Sequence, residues 1–507
     1  MSRYNLIDEP WIPVRRKDGS YSELGIKEVL LSAKDLAEIE DPSPLVVASL
    51  YRFLLAVLYR ALEGPTDIEE AKTLFKKGLP ADKITAYLEK WRDRFWLFDE
   101  KYPFGQVAEF EPKIWRAWTV LAAENNADNA KVLFDHEDVM NTSLLPYDKA
   151  VQGLLATQTF SVSCGKSELS HTGTAPSATA IMIMPIGHNL EDSFLLALVP
   201  QNQEIAKSDL PIWERIPESI NSLKNETSRK PHGLADRYTW RTRTIRLNDQ
   251  GKGIQKVAFA SGVKLEENEQ KDPMLAYRID EKHGFLPRIF YEKGLWRDFD
   301  SLLPDQGGLC PAVINYAVEL TKRDASRFPK SILAMGQANN KAKIEYWRIQ
   351  HFVLPEALLG NGSVRQEIRK YLDEATETQK ALYSASRILA RNQLSRGDRE
   401  PAGSDVSAFL NQMQGTPLYW SMLETQFHKL LQGYTLEKDT DQLEFQWLQS
   451  VRKALSDAWQ QQKNSIAAND AWSIRAVVKA EGSVCKQLAE LDTQLKEFQN
   501  NQSEESK

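Results

Sequence analysis

The sequence predicts an α+β protein in two parts: a mixed α/β domain over residues 1–359 and a four-helix bundle over 360–507. Three observations carry this reading. From about residue 93 to 359, strand-like apolar runs alternate with polar loops bearing Gly and Pro. Gly360-Asn361-Gly362 then breaks the chain, and Ser363-x-x-Gln366 has the form of a capping box. After the break, apolar residues recur at heptad spacing.

The first 30 residues read as short strands around a turn: NLI, WIPVRR, then KDGS, then YSEL. Asp41-Pro42-Ser43-Pro44 places a cap residue before a proline at the first helical position, which starts a helix. That helix is the apolar window 45–62, LVVASLYRFLLAVLYRAL. Arg52 near its centre would cost about 2.5–3.5 kcal/mol in a bilayer, against about 0.3–0.6 gained per Leu or Val. A buried core helix is expected, not a membrane span. Helical patches follow near 67–77 and 81–92, and AIMIMPI and SFLLALVP read as strands. In the bundle, Ile368, Ala375, Leu382 and Leu389 lie seven apart, with Val364, Tyr371 and Ala385 on the next stripe. Thr416-Pro417 opens a second helix through Leu423, Phe427, Leu430 and Leu431, with Gly433 as its stop. A third carries Leu443, Trp447, Val451 and Leu455. The last carries Val477, Val484, Leu491 and Phe498, with Ile474, Leu488 and Leu495 beside them. The connection 395–415 is expected to be flexible, and residues 500–507 to fray.

The chain has 507 residues, 42% hydrophobic and 26% charged, the balance of a soluble globular protein. Three cysteines lie far apart and no C-x-x-C occurs, which argues against a disulfide framework or a cysteine zinc site and for a reducing cytosol. The N-terminal stretch lacks the apolar run of a secretory signal. Net charge is −6, unevenly spread. Residues 229–264 hold nine Lys/Arg against two Asp/Glu, and residues 321–348 seven against two. Two basic segments on an acidic body have the distribution of a confined anion-binding surface, and equally that of solvated loops.

Enzyme signatures are absent. Gly165-Lys166-Ser167 looks like the end of a phosphate loop, but Phe160 stands where the motif needs Gly. Phe134-Asp135-His136-Glu137-Asp138 gathers possible metal ligands without a second His at a ligand spacing, so a polar loop is the plainer reading. No G-x-S-x-G, H-E-x-x-H or G-x-G-x-x-G occurs. What remains is surface for binding. RYTWRTRTIR at 237–246 interleaves cations with aromatics. As a strand it would put Arg241, Arg243 and Ile245 on one face and Thr242, Thr244 and Arg246 on the other. Such arginines suit phosphate, or charge on an exposed sheet edge.

Taken in order, NLIDEPWIPV, RFWLFDEKYPFGQV at 94–107, KVLFDHED at 131–138, FSVSCGKS at 160–167, TWRTRTIRL at 239–247 and MGQANNKA at 335–342, closed by a helical bundle, resemble the large subunit (CasA family) of the type I-E CRISPR surveillance complex, Cascade. The resemblance covers nearly the whole chain. It implies a non-catalytic subunit without cofactor or zinc, in the cytoplasm and away from membranes. Its partners would be the guide RNA 5′ handle, target double-stranded DNA, other Cascade subunits and a helicase–nuclease. It implies recognition of a short motif beside the target, mainly from the minor groove, and initiation of strand separation, while guide pairing reads the sequence. Phe134, Asp135 and His136 match the family's loop toward the guide handle. Gly165 matches its glycine-rich loop near the DNA, where relatives often have several glycines and this chain keeps one. Lys264 corresponds to a lysine near the DNA. The runner-up is a structural subunit that contacts only guide RNA and partner proteins. A metal-dependent hydrolase using Asp135 and His136 ranks third.

The resemblance also gives a reason for the turn in MGQANNKAKIEYW at 335–347, which Asn-Gly would close more cheaply. In relatives the matching hairpin is a wedge pushed into the duplex. Here its tip is Asn339-Asn340-Lys341-Ala342. A wedge must replace base-pair hydrogen bonds and offset unstacking of a few kcal/mol per step. Lys341 stands where some relatives have Gln; it donates but cannot accept, so motif preference should differ.

Overall fold

The computed structural model describes all residues except 1–2, 122–142, 163–168, 170–173, 226–227, 268–269, 283, 290–293, 303–309, 323, 341–342, 354–361, 397–398, 437, 467–469 and 506–507. The chain forms two compact units. One comprises Met1–Lys293 and Pro304–Phe352, the other Gly294–Leu303 and Val353–Lys507. The boundary expected at 359/360 lies outside the described residues.

The first unit opens with β1 (Arg3–Asn5), β2 (Ile12–Arg16), β3 (Tyr21–Leu24), α1 (Ile26–Leu31) and β4 (Leu36–Ile39). The helices α2 (Pro44–Leu62), α3 (Ile68–Lys77) and α4 (Ala81–Lys90) follow, then β5 (Trp96–Phe98), β6 (Arg116–Ala117) and α5 (Tyr147–Phe160). Next come β7 (Met182–Ile186), α6 (Leu190–Leu195), α7 (Gln203–Ser208), α8 (Ile220–Asn225), β8 (Ser228–Arg229) and α9 (Leu234–Tyr238). The unit closes with β9 (Arg243–Asp249), β10 (Ile254–Ser261), β11 (Lys264–Leu265), β12 (Tyr277–Asp280), β13 (Gly284–Pro287), α10 (Ala312–Thr321), β14 (Ser331–Asn340) and β15 (Lys343–Val353). The described strands make six small sheets, among them β3-β2-β4, β6-β10-β9 and β15-β14-β7.

The core is built around α2, which starts with Pro44 after Ser43 as the proline pattern predicts. It is the one described helix long and apolar enough to cross a membrane, and 94% of that window is buried inside the protein. Arg52 explains how a charge sits there: its Nη1 donates to Asp272 Oδ2 at 2.7 Å, and its guanidinium lies 4.3 Å from the Tyr238 ring centroid. Phe53 packs edge-on against Phe104 and Trp213, and Trp11 lies beside it. SFLLALVP is not a strand. Asn189 caps α6 by accepting from Asp192 N at 2.9 Å, so local capping overrides the apolar run.

The second unit contains α11 (Gly362–Ser395), α12 (Gly403–Gln412), α13 (Gly415–Thr435), α14 (Thr440–Asn464) and α15 (Ala471–Glu505). The heptad residues Ile368, Ala375, Leu382 and Leu389 are all fully buried. The structure adds detail to the connection and the C-terminal end and changes the reading of Gly433 and Ile474. The connection expected to be flexible carries α12, and the stretch expected to fray continues α15 to Glu505. Gly433 does not stop α13. It lies buried inside that helix, where a Cβ would come within 2.3 Å of Leu443 Cδ2, so it permits α14 to approach. Ile474 is 52% exposed, because the buried stripe of α15 runs through Ala476, Ala480, Val484 and Leu491. The unit also takes in the short 3-10 segment Leu295–Leu302, whose Trp296 and Phe299 pack on Phe427.

Candidate nucleic-acid interface

The hairpin is present, and it outruns its sheet. β7 pairs with Ser331 through Met335 of β14, and β14 continues five residues beyond that point to Asn340. Asn339 and Asn340 therefore end a strand and do not form the turn itself. Lys341 and Ala342, between β14 and β15, lie outside the described residues. At about 3.3 Å per residue, Asn340 stands about 10 Å along the strand from Gln337.

Gln337 is fully buried in this overhang, and its Nε2 donates to the carbonyl of Phe160 at 2.7 Å. Phe160 is the last residue of α5. The final carbonyls of a helix have no partner within it and must find donors elsewhere. Here side chains supply them. Thr242 Oγ1 donates to the Gln158 carbonyl at 2.8 Å, and Arg243 Nη2 donates to the Val162 carbonyl at 2.7 Å. Gln158 returns the contact, accepting from Arg243 N at 2.8 Å and donating to the Arg243 carbonyl at 2.8 Å. The end of α5 is thus held by the hairpin strand through Gln337 and by β9 through Thr242 and Arg243.

This corrects the reading of RYTWRTRTIR as an exposed basic strand. Its first two residues belong to α9, and the strand begins at Arg243. The alternation of Arg243 and Ile245 against Thr244 and Arg246 holds in the register, but the strand lies inward. Arg243 is only 4% exposed, and its guanidinium serves carbonyls instead of phosphate. Arg241 pairs with Glu218 and donates to the Gly105 carbonyl at 3.3 Å, with 11% of its side chain exposed. Arg229 and Arg215 both pair with buried Asp236. Burial pushes the Asp236 carboxyl up, yet the hydrogen bond from Arg229 and the charge of Arg215 hold it below the usual range. Arg237 is buried and pairs with Glu267. Three of the nine cations of 229–264, Arg229, Arg237 and Arg241, are therefore held in ion pairs, and Arg243 is buried against carbonyls.

Lys264, by contrast, is open to solvent. It is exposed on β11, which pairs in parallel with β8. Lys230, Lys252 and Lys256 are also exposed. In the second basic segment, Arg327 pairs with Asp192 and stacks 3.6 Å from the Phe75 ring centroid, while Lys322 and Lys330 are exposed. Phe134, Asp135, His136 and Gly165 lie outside the described residues. Among the described residues, no group of three or more His, Cys, Asp or Glu is arranged to hold a metal. Sequence reasoning missed Gln337 and Gln158 as organising side chains. The available signal was one polar residue inside the apolar run SILAMGQA.

A family model described as CRISPR-associated protein Cse1 matches residues 5–458. CRISPR-associated protein CasA/Cse1 of Thermus thermophilus is 33% identical over 508 residues, covering 98% of this chain and 99% of that protein. A solved structure of Thermus thermophilus CasA (Cse1) superposes with a TM-score of 0.84 at 31% identity, covering 97% of this chain and 100% of the other. A chain in a structure of a CRISPR RNA-guided surveillance complex gives 0.69 at 19% identity, covering 96% and 100%; at that identity the likeness is one of fold.

Proposed function

This chain belongs to the CRISPR-associated Cse1 (CasA) family, and from that premise we propose that it is the large, non-catalytic subunit of an RNA-guided DNA surveillance complex. In that role it recognises a short motif beside the target in duplex DNA. It starts strand separation with the β14–β15 hairpin, keeps contact with the guide RNA 5′ handle and neighbouring subunits, and helps admit a helicase–nuclease. The observation that carries the reading is the hairpin: β14 runs past its last β7 partner and ends in Asn339 and Asn340, with Lys341 and Ala342 before the return strand. A strand that overhangs its sheet extends a polar tip without loosening the core.

The chemistry needed is modest. Guide pairing supplies the sequence information, so the protein needs only to hold backbone, read a short motif and separate the first base pairs. The amides of Asn339 and Asn340 can both donate and accept, as a separated base edge requires, and Lys341 adds a cation. Lys264 serves as a phosphate contact. Arg243 is not assigned a DNA contact, because it is committed to the end of α5. Phe134, Asp135, His136 and Gly165 retain the roles implied by the family motifs: the first three toward the guide handle, the last at the DNA.

The test replaces Asn339, Asn340 and Lys341 together by alanine in the reconstituted complex. Strand opening is followed with a fluorescent base analogue beside the motif. Opening of a fully paired target should fall strongly, and most of the loss should vanish on a target already mismatched there. Equal loss on both substrates would reduce the tip to a binding element. No loss on either would remove the wedge.

A further inference from the structure

We propose that Gln337 is a positioning residue for strand opening: its bond to the Phe160 carbonyl sets the overhanging half of the hairpin against the end of α5. This rests on the hairpin reading above and deepens it. Beyond Met335, β14 has no β7 neighbour, so the sheet braces it on one side less than it does residues 331–335. Gln337 is a fully buried polar side chain in that stretch, and its described hydrogen bond reaches across to another element. Its Oε1 is buried and has no partner among the described residues. An apolar residue would fill the same space without leaving that oxygen unsatisfied, so packing alone does not account for a glutamine here.

The other end of the contact is fixed independently. Thr242 and Arg243, at the start of β9, make three bonds of 2.8 Å with Gln158 in the last turn of α5, and Arg243 makes a fourth of 2.7 Å with the Val162 carbonyl just past the helix. The hairpin is therefore referenced to a rigid body made of α5 and β9. A wedge separates base pairs only if its root does not yield when the duplex pushes back. The Gln337 bond opposes that displacement near the point where the sheet stops bracing β14.

Two variants test this in the assembled complex. Gln337→Met keeps the length of the side chain and removes the donor. Gln337→Glu keeps the shape and donates to the Phe160 carbonyl only when protonated, which burial favours at lower pH. Gln337→Met should slow opening of a fully paired target by about tenfold, the scale of one well-placed hydrogen bond. Opening of a target mismatched beside the motif should change less than twofold. Gln337→Glu should recover toward the wild-type rate as pH falls from 8 to 6, measured relative to wild type at each pH. Equal slowing of both targets by Gln337→Met, or a pH-independent ratio for Gln337→Glu, would overturn the proposal. So would wild-type opening by Gln337→Met while the triple-alanine tip variant fails to open paired DNA, an outcome that leaves the wedge standing. If the tip variant opens paired DNA normally, the wedge itself falls and this proposal falls with it.

Discussion

Arg243 separates two readings of the same basic segment, and replacing it tests which one the molecule uses. Arg243→Met keeps the aliphatic stem and removes the guanidinium. Two carbonyls lose a donor: Val162, bonded at 2.7 Å, and Thr242, bonded at 3.1 Å. The Thr242 carbonyl keeps the Gly262 amide at 2.9 Å, so its loss is small. The Val162 carbonyl loses a charge-assisted bond in a buried setting, worth about 1–3 kcal/mol when left unsatisfied. A cation beside the C-terminus of α5 adds about 0.3–1 kcal/mol. The expected destabilisation is about 1–4 kcal/mol, a melting shift on the order of 2–6 °C for a unit of this size at about 2.1 cal/mol/K of unfolding entropy per residue. The assay is a thermal melt of the isolated chain beside the salt dependence of duplex binding by the assembled complex. Arg243→Met should melt early and leave the salt slope unchanged. Lys264→Ala, at an exposed position, should melt like wild type and reduce the slope by about 0.9, one phosphate contact. A wild-type melt for Arg243→Met together with a slope reduced by about 0.9 would return Arg243 to the DNA and refute the structural assignment.

Two further outcomes concern the helical unit. Gly433→Ala should cost about 1–3 kcal/mol for displacing buried Leu443 against about 1 kcal/mol gained in helix propensity, a net loss of about 0–2 kcal/mol read from a denaturant midpoint at unchanged m-value. Glu374 is pushed up to about 7 by burial and by the charge of Glu444, with Lys370 opposing. A carboxyl whose pKa is higher folded than unfolded is bound to a proton in the native state alone between about 4.5 and 7, so stability falls as pH rises through that window. Glu374→Gln should remove that fall, roughly 1–2 kcal/mol after solvent screening, in urea melts at pH 5 and pH 8.

The parts of the fold legible in the sequence are those where a period repeats. Ile368 through Leu389 keep one face for three heptads, about six helical turns, and burial follows. Pro44 and Ser43 mark a helix start that needs no tertiary information. Misreadings cluster where a long-range partner decides. Gly433 resembles a helix stop until Leu443 is beside it. SFLLALVP has strand composition until Asn189 is seen to cap the turn before it. Trp296 and Phe299 belong to the helical unit although more than 60 residues precede its first helix, and no local pattern announces that. A fragment cut at 360 would leave Phe427 without both of them.

The site was harder to read because charge in a sequence carries no sign of its destination. Residues 229–264 hold a large local excess of cations, yet the carboxylates that answer them come from elsewhere in the chain. Glu218 reaches Arg241, Glu267 reaches Arg237, and the Val162 carbonyl just past α5 accepts from Arg243. Two of the seven excess charges are thus answered by carboxylates from outside the segment, Arg243 is buried among carbonyls, and exposed lysines remain. That redistribution bears on mechanism. Buried arginines fix geometry, because their fork holds several acceptors at once, whereas exposed lysines act as mobile point charges suited to a backbone of any sequence. A protein whose partner RNA reads the target needs both: a rigid root for the hairpin, and cations that grip phosphate without preferring bases. Under the proposed function the same segment would supply the first through Arg243 and the second through Lys264, at opposite ends of a β9–β10–β11 run only about 20 residues long.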